Sequence, residues 1–324
     1  MQKILPTLLI ILSLPLLLSW GPYGHERINH AAVLALPHPM LPFFYNHIDY
    51  ITHAGAMPDI RRNILNDKNE DPRHYFDQEN FRAADSLPAT LEEARQKYGE
   101  EFLQKNGILP WYIPEMMDKL TTAFRKQDKQ SILFLAADLG HYIGDAHTPL
   151  HTTVNYDGQL SGQNGIHSFW ESRMAEQLGG GFNYSPDEAI YLKNISGETR
   201  RIIQASNALV ESILSAEKEL KLQLPADSLY IMDEAGNPIK NRAGIPIYSN
   251  RFTELYNLKT NGMVEQQMQL AIKSTASYWF TAWVNAGKPD LSKLDPTDQT
   301  RKNRNRLKKE LRLIKKGKLI DIKS

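Results

Sequence analysis

The 324-residue chain contains no cysteine. Disulfides, thiolate metal sites and cysteine nucleophiles are therefore excluded, and any metal must be held by His, Asp, Glu or backbone groups. Net charge is nearly absent too. The 38 Lys and Arg stand against 37 Asp and Glu, and a formal charge of +1 points to no particular partner. No internal repeat is evident, and no Gly/Pro-rich linker divides the chain. A strand-turn-strand ladder is missing except in one stretch. What is plentiful is apolar side chain, 41% of residues, ample for a buried core.

The N-terminus reads as an export signal. Lys3 precedes an apolar run from Ile4 to Leu18, interrupted by Pro6, Thr7, Ser13 and Pro15. A run of about fifteen residues suits a secretory core and is short for a bilayer span of roughly 20. Ser19 is small, as signal peptidase prefers before its cut. Residues 1–19 are thus expected to leave, making Trp20 the new N-terminus of a periplasmic or secreted protein. An uncleaved membrane anchor is the alternative.

Helical periodicity dominates the remainder, at His25–Leu36, Ser131–Ala146, Gly165–Leu178, Thr199–Leu222 and Met263–Ala286. The Ser131–Ala146 stretch is apolar on most sides and reads as a central buried helix. Tyr230–Tyr248 carries turn signals at Gly236-Asn237-Pro238 and Ala243-Gly244, so it reads as a protruding hairpin or loop inserted between helices. The expected fold is all-α, a single multi-helix domain over residues 20–297. Residues 298–324 form a basic C-terminal tail, dense in Lys and Arg from Arg301 onward. It could contact an anionic lipid or nucleic-acid surface, or be a solvated, partly helical extension.

The placement of the histidines carries the functional signal. The segment H-Y-I-G-D-A-H-T-P-L-H puts His141 and Asp145 four apart on one helix face, with His151 just past a proline. His167 and Glu171 (HSFWE) repeat that spacing. Neutral imidazoles paired with carboxylates, approaching from one side, suit a hydrolytic zinc site with positions open for water and substrate. One such pair could equally be a structural hydrogen bond. Two pairs plus His151 within residues 141–171 make that reading hard to sustain, because unpaired buried charge is expensive. His147 lies off the shared face and reads as supporting or structural.

The pattern H-x-x-x-D-x-x-x-P-x-H followed by H-x-x-x-E resembles the zinc-dependent phospholipase C and single-strand-specific nuclease superfamily. W-G-P-Y-G-H supplies the Trp20 and His25 that such enzymes carry at their mature N-terminus. Asp59 in MPDIRR and His74 in RHYFD complete the resemblance, which runs from Trp20 to about Asp290. It implies an all-helical phosphoesterase with three zinc ions per chain. One zinc would be held by Asp59, His74, His141 and Asp145. A second, close by, would be held by the Trp20 backbone, His25 and the shared Asp145, and a third by His151, His167 and Glu171. His30, His38, His47, His53 and His147 are left as ordinary residues.

On that reading, water between the close pair of cations would lose a proton near neutral pH and attack phosphorus in line. Asp59 is a reasonable proton acceptor, and the third ion would stabilise the leaving oxygen. Arg62 resembles an arginine near phosphate in the nuclease branch, the alternative being a surface salt bridge. Tyr75 and Asp77 are candidates for the substrate pocket.

The sequence departs from both branches of the superfamily. W-G-x-x-G-H resembles the nucleases. The compact His151–His167 segment and the choice of Glu171 resemble the bacterial phospholipases. The glycine-rich stretch that nucleases carry is reduced to Ser161–Gly165, and their paired cysteines are absent. The acidic residue that phospholipases use for choline has no counterpart in Gly21-Pro22-Tyr23-Gly24. The expected substrate is a phosphodiester, leaning to a phospholipid head group, with single-stranded nucleic acid as the alternative. A non-catalytic zinc-binding periplasmic protein is a third reading, and no obligate protein partner is inferred.

Overall fold

The computed structural model describes residues 21–81, 87–294 and 300–320. The helices that matter for the site are α1 (Gly21–Leu34), α2 (Ile48–Ala54), α3 (Met57–Asn63), α4 (Leu109–Lys126), α5 (Lys129–Ala146), α6 (Ile195–Asn207), α7 (Val210–Gln223), α8 (Met263–Asn285) and α9 (Arg301–Lys315). The expected all-α architecture is borne out: no regular strand occurs among the described residues. None of their helices is long and apolar enough to cross a membrane. Residues 1–19 and Trp20 lie outside the described residues, as does the expected boundary at residue 297.

The central helix is α5. Its N-terminus is capped by Asp128, whose carboxylate accepts from the Ser131 backbone N–H at 3.2 Å. From Ala136 to Ala146 every residue is buried, because α1, α2, α4 and α8 all pack around it. Close approach of α1 depends on two glycines one turn apart on α5. A Cβ at Gly140 would sit 2.0 Å from Asn29 Oδ1, and one at Gly144 would sit 3.0 Å from His25 Nδ1. Asn29 uses that proximity, donating to the carbonyls of Ile51 (3.2 Å) and Ala137 (3.1 Å) and tying α1 to both α2 and α5.

Two expected helices differ in detail. The Thr199–Leu222 pattern is broken at Ala208 and Leu209 into α6 and α7. No proline or glycine marks the break. Instead the Asn207 side chain is drawn away to donate to the Thr152 carbonyl at 2.8 Å and to accept from Gln78 at 3.2 Å. The Gly165–Leu178 pattern is helical, but with a π-helical turn at Phe169–Arg173 that carries Glu171. Such turns recur at functional sites, where one extra residue per turn re-aims side chains.

The Tyr230–Tyr248 insertion has only isolated bridges, pairing Tyr230 with Tyr248, Met232 with Pro238 and Lys240 with Pro246. Its backbone closes on itself: Ile231 N donates to Ile247 O, Ile247 N to Ile239 O, and Ile239 N to Ile231 O. Asp233 and Asn241 cap the two turns with their side chains, each accepting two backbone N–H groups. Gly236 and Gly244 take φ near +80°, which the turn signals foretold.

The basic C-terminal stretch is more than a solvated extension. Helix α9 docks on the body through Glu310, which is buried and accepts from Tyr45 Oη at 2.6 Å, with His30 Nε2 at 3.2 Å. Arg306 reaches the same carboxylate at 3.2 Å and Asp49 at 3.0 Å. Beyond the helix, Leu319 is buried and its N–H and carbonyl bond Asn183 and Tyr184. Glu310→Ala would take from the buried His30 Nε2 and Tyr45 hydroxyl the carboxylate they bond. Each unsatisfied group costs about 1–3 kcal/mol, and urea unfolding should show a loss of that order.

Candidate metal centre

Eight of the expected site side chains converge where α1, α3, α5 and the segments after them meet, in three groups whose ligand-type atoms lie within 4.8 Å of one another: His25, His141 and Asp145; Asp59, His74 and His141; His151, His167 and Glu171. All are buried except His167, which is partly exposed. Trp20, the ninth expected contributor, lies outside the described residues.

Asp145 is the common point. Its carboxylate lies 2.9 Å from His74 Nδ1, 3.2 Å from His141 Nε2, and 3.6 Å from both His25 Nε2 and His151 Nδ1. His25 and His141 stack with ring centroids 3.8 Å apart. That contact requires the close approach of α1 to α5. Asp59, from the first turn of α3, lies 3.7 Å from His74 Nδ1 and 3.9 Å from His141 Nε2. In the third group, His167 Nε2 is 2.6 Å and His151 Nε2 3.4 Å from the Glu171 carboxylate. The i, i+4 spacing read from the sequence thus brings His141 to Asp145 and His167 to Glu171.

The electrostatics suit cations. Burial pushes the Asp59 carboxyl up to about 6, against the pull of His141 and His74. Burial opposes ionisation of Asp145 and Glu171 as well, but the facing imidazoles hold both well below the ordinary carboxylate range. Burial also resists protonation of His141 and His151, yet their carboxylate neighbours raise both to about 9. Protons gather where the acids need compensation, and a divalent cation can replace them. Among the described residues, neither carboxylate oxygen of the buried Asp59 has a hydrogen-bond partner. An acceptor left bare at that depth fits an ion. All donors are N or O, a set that zinc accepts.

Ring orientation is fixed from behind. His141 Nδ1 donates to the Gly55 carbonyl at 2.8 Å and His151 Nδ1 to the His74 carbonyl at 2.6 Å, leaving each Nε2 lone pair for the centre. His147 is turned away, bonding Ser274 Oγ at 2.9 Å, as its position off the shared face implied.

Beside the third group opens a pocket of about 280 Å³ lined by residues that include Arg62, Tyr75, Asp77, Lys105, Tyr156 and His167. Arg62 does form the salt bridge considered as its alternative, to Asp71 at 2.6 Å, while still lining this pocket. Tyr75 Oη donates to the Lys105 carbonyl at 3.2 Å. Lys105 and Tyr156 were not singled out from the sequence. They come from a helix end and a loop with no motif of their own. Glu70 was also missed, although it lies four residues before His74, the same spacing as the recognised pairs.

Asp77 gives this wall a pH signature. Burial, then Glu79, raise its carboxyl from 3.8 to about 6 in the folded protein. The folded state therefore binds a proton that the unfolded state releases between roughly pH 4 and 6, and this group's contribution to stability declines as pH rises through that window. Asp77→Asn is expected to match the native protein near pH 4 and exceed it in stability at pH 7. Equal pH profiles in thermal unfolding would contradict this.

A curated probable serine protease of Bradyrhizobium tropiciagri is 22% identical over 220 residues, covering 60% of this chain. The chain spans only 26% of that protein's length. Among solved structures, the alpha-toxin of an avian Clostridium perfringens strain aligns over 83% of this chain and 65% of its own, with 13% identity and a TM-score of 0.47. The sequence model of the S1/P1 nuclease family matches residues 20–271, a span that holds every side chain of the centre, and the chain belongs to that family.

Proposed function

We propose that the protein is an exported zinc-dependent hydrolase of phosphodiesters, with three zinc ions held by Asp59, His74, His141 and Asp145, by His25, Asp145 and the Trp20 backbone, and by His151, His167 and Glu171. The observation that carries this reading is the convergence of three His and carboxylate groups, all buried but for His167, beside a pocket lined by charged and aromatic side chains. When bound, zinc would supply Lewis acidity toward phosphoryl oxygens and a nucleophile from water at neutral pH.

The chain's own residues take the remaining roles. Asp59, whose two oxygens accept from no donor among the described residues, would accept a proton at the centre. Arg62 and Lys105 supply cations to the pocket wall for an anionic substrate, alongside Asp71, which pairs with Arg62 at 2.6 Å, and Asp77. Tyr75 and Tyr156 offer rings on which a base can stack, a contact worth about 1–3 kcal/mol per base. Asp77 is a carboxyl within reach of whatever enters.

Membership of the S1/P1 nuclease family and these ring-lined walls favour single-stranded nucleic acid as substrate. The second reading is a phospholipid head group, supported by Glu171 and the compact His151–His167 segment. The exposed cations of α9 are available for contact with anionic surfaces in either case.

One experiment separates these readings. The protein is offered single-stranded DNA, phosphatidylcholine vesicles and an aryl phosphodiester, with zinc and again with a chelator. Chelator-sensitive nucleotide release is expected. Diacylglycerol without DNA cleavage would select the second reading, and silence on all three with zinc bound would overturn catalysis altogether.

A further inference from the structure

A second buried charge cluster lies directly behind the close groups. Glu70 is fully buried and accepts from Arg61 Nε at 2.9 Å, from Arg73 Nη1 at 3.0 Å and from the Tyr142 hydroxyl. Arg61 also reaches Asp138 on α5 at 2.6 Å. The cluster therefore joins every element that supplies the Asp59, His74 and His141 group. Arg61 follows Asp59 by two residues on α3, Arg73 precedes His74, and Tyr142 follows His141 on α5. Burial opposes a charge on Glu70, but His74, Arg61 and Tyr142 together hold its carboxyl far below the ordinary range.

His74 faces the centre the opposite way round from its neighbours. His141 and His151 present Nε2 and anchor Nδ1 to carbonyls. His74 presents Nδ1, which lies 2.9 Å from Asp145 Oδ2 and 3.1 Å from His141 Nε2. For Nδ1 to offer a lone pair, the ring proton must sit on Nε2. That nitrogen is buried and makes no hydrogen bond among the described residues at its present position, and Glu70 Oε1 lies 3.6 Å away. A ring shift of a few tenths of an ångström would close the bond.

We propose that Glu70 is a positioning residue for the metal centre: it accepts the Nε2 proton of His74, fixes that tautomer and aims Nδ1 at the Asp59, His74 and His141 group, while Arg61, Arg73 and Tyr142 hold the carboxylate still. The proposal rests on the metal-centre reading above. Carboxylates behind metal-binding histidines commonly set ring orientation and basicity, and their loss costs about 10–100-fold in metal affinity. A purely structural ion pair would affect folding instead. The buried pair of His30 and Glu310, at 3.2 Å and outside the three groups, is the natural control.

The test compares the native protein with Glu70→Gln and Glu310→Gln. Zinc affinity is measured by competition with a chromophoric chelator, and the melting temperature of each metal-free form is recorded alongside. Glu70→Gln should weaken one or more ions by about 10–100-fold. Glu310→Gln should lower the melting temperature and leave zinc affinity unchanged. Nitrogen-15 shifts of the zinc-loaded native protein supply a readout that needs no variant, and should show His74 protonated on Nε2 with His141 and His151 protonated on Nδ1. Native affinity in a folded Glu70→Gln, or a His74 proton on Nδ1, would overturn the proposal. A native protein that takes up no zinc would instead refute the metal-centre reading itself.

Discussion

The Asp145 carboxylate, buried and facing four imidazoles, is the interaction on which the rest of the structure depends. A carboxylate removed from water is costly unless cations or donors surround it. Here the compensation comes from four separate parts of the chain, namely α1, the turn at His74, α5 itself and the turn at His151. The packing of the helices and the charge balance of the site are therefore one problem. Gly140 and Gly144 solve it on the α1 side by removing the Cβ atoms that would hold His25 away.

The periphery meets the body at two further places. Helix α9 holds the far end of the chain on α1 through the Glu310 contacts to His30 and Tyr45, outside the three groups. The insertion supports the third group. Tyr248 packs on Phe169, two residues from Glu171, with ring centroids 4.7 Å apart. Glu217, which accepts from the Tyr248 hydroxyl, also accepts from Gln163 at 2.6 Å, just ahead of His167. Stiff support suits a polar site, since a misplaced ligand loses far more than one contact.

Much of this was legible in the sequence because the decisive geometry is local. A four-residue spacing on a helix places His141 beside Asp145 and His167 beside Glu171 whatever the rest of the chain does. The turn chemistry of Gly236 and Gly244 is local in the same sense. What the sequence concealed depends on distant partners. The basic composition of residues 298–324 hides Glu310, whose partners His30 and Tyr45 lie 280 and 265 residues away. The break between α6 and α7 follows from what Asn207 bonds, and the local pattern is silent on it. Glu70 is the instructive case: it has the right spacing to His74, but its meaning comes from Arg61 and Tyr142, on two other helices.

The central claim is that the three side-chain groups are cation sites. Anomalous diffraction at the zinc edge, from crystals grown with zinc, tests it most directly. The account predicts one peak within each of the three groups, two of them close together on either side of His141 and Asp145. A map with those groups empty, or with zinc bound only elsewhere on the surface, would contradict it.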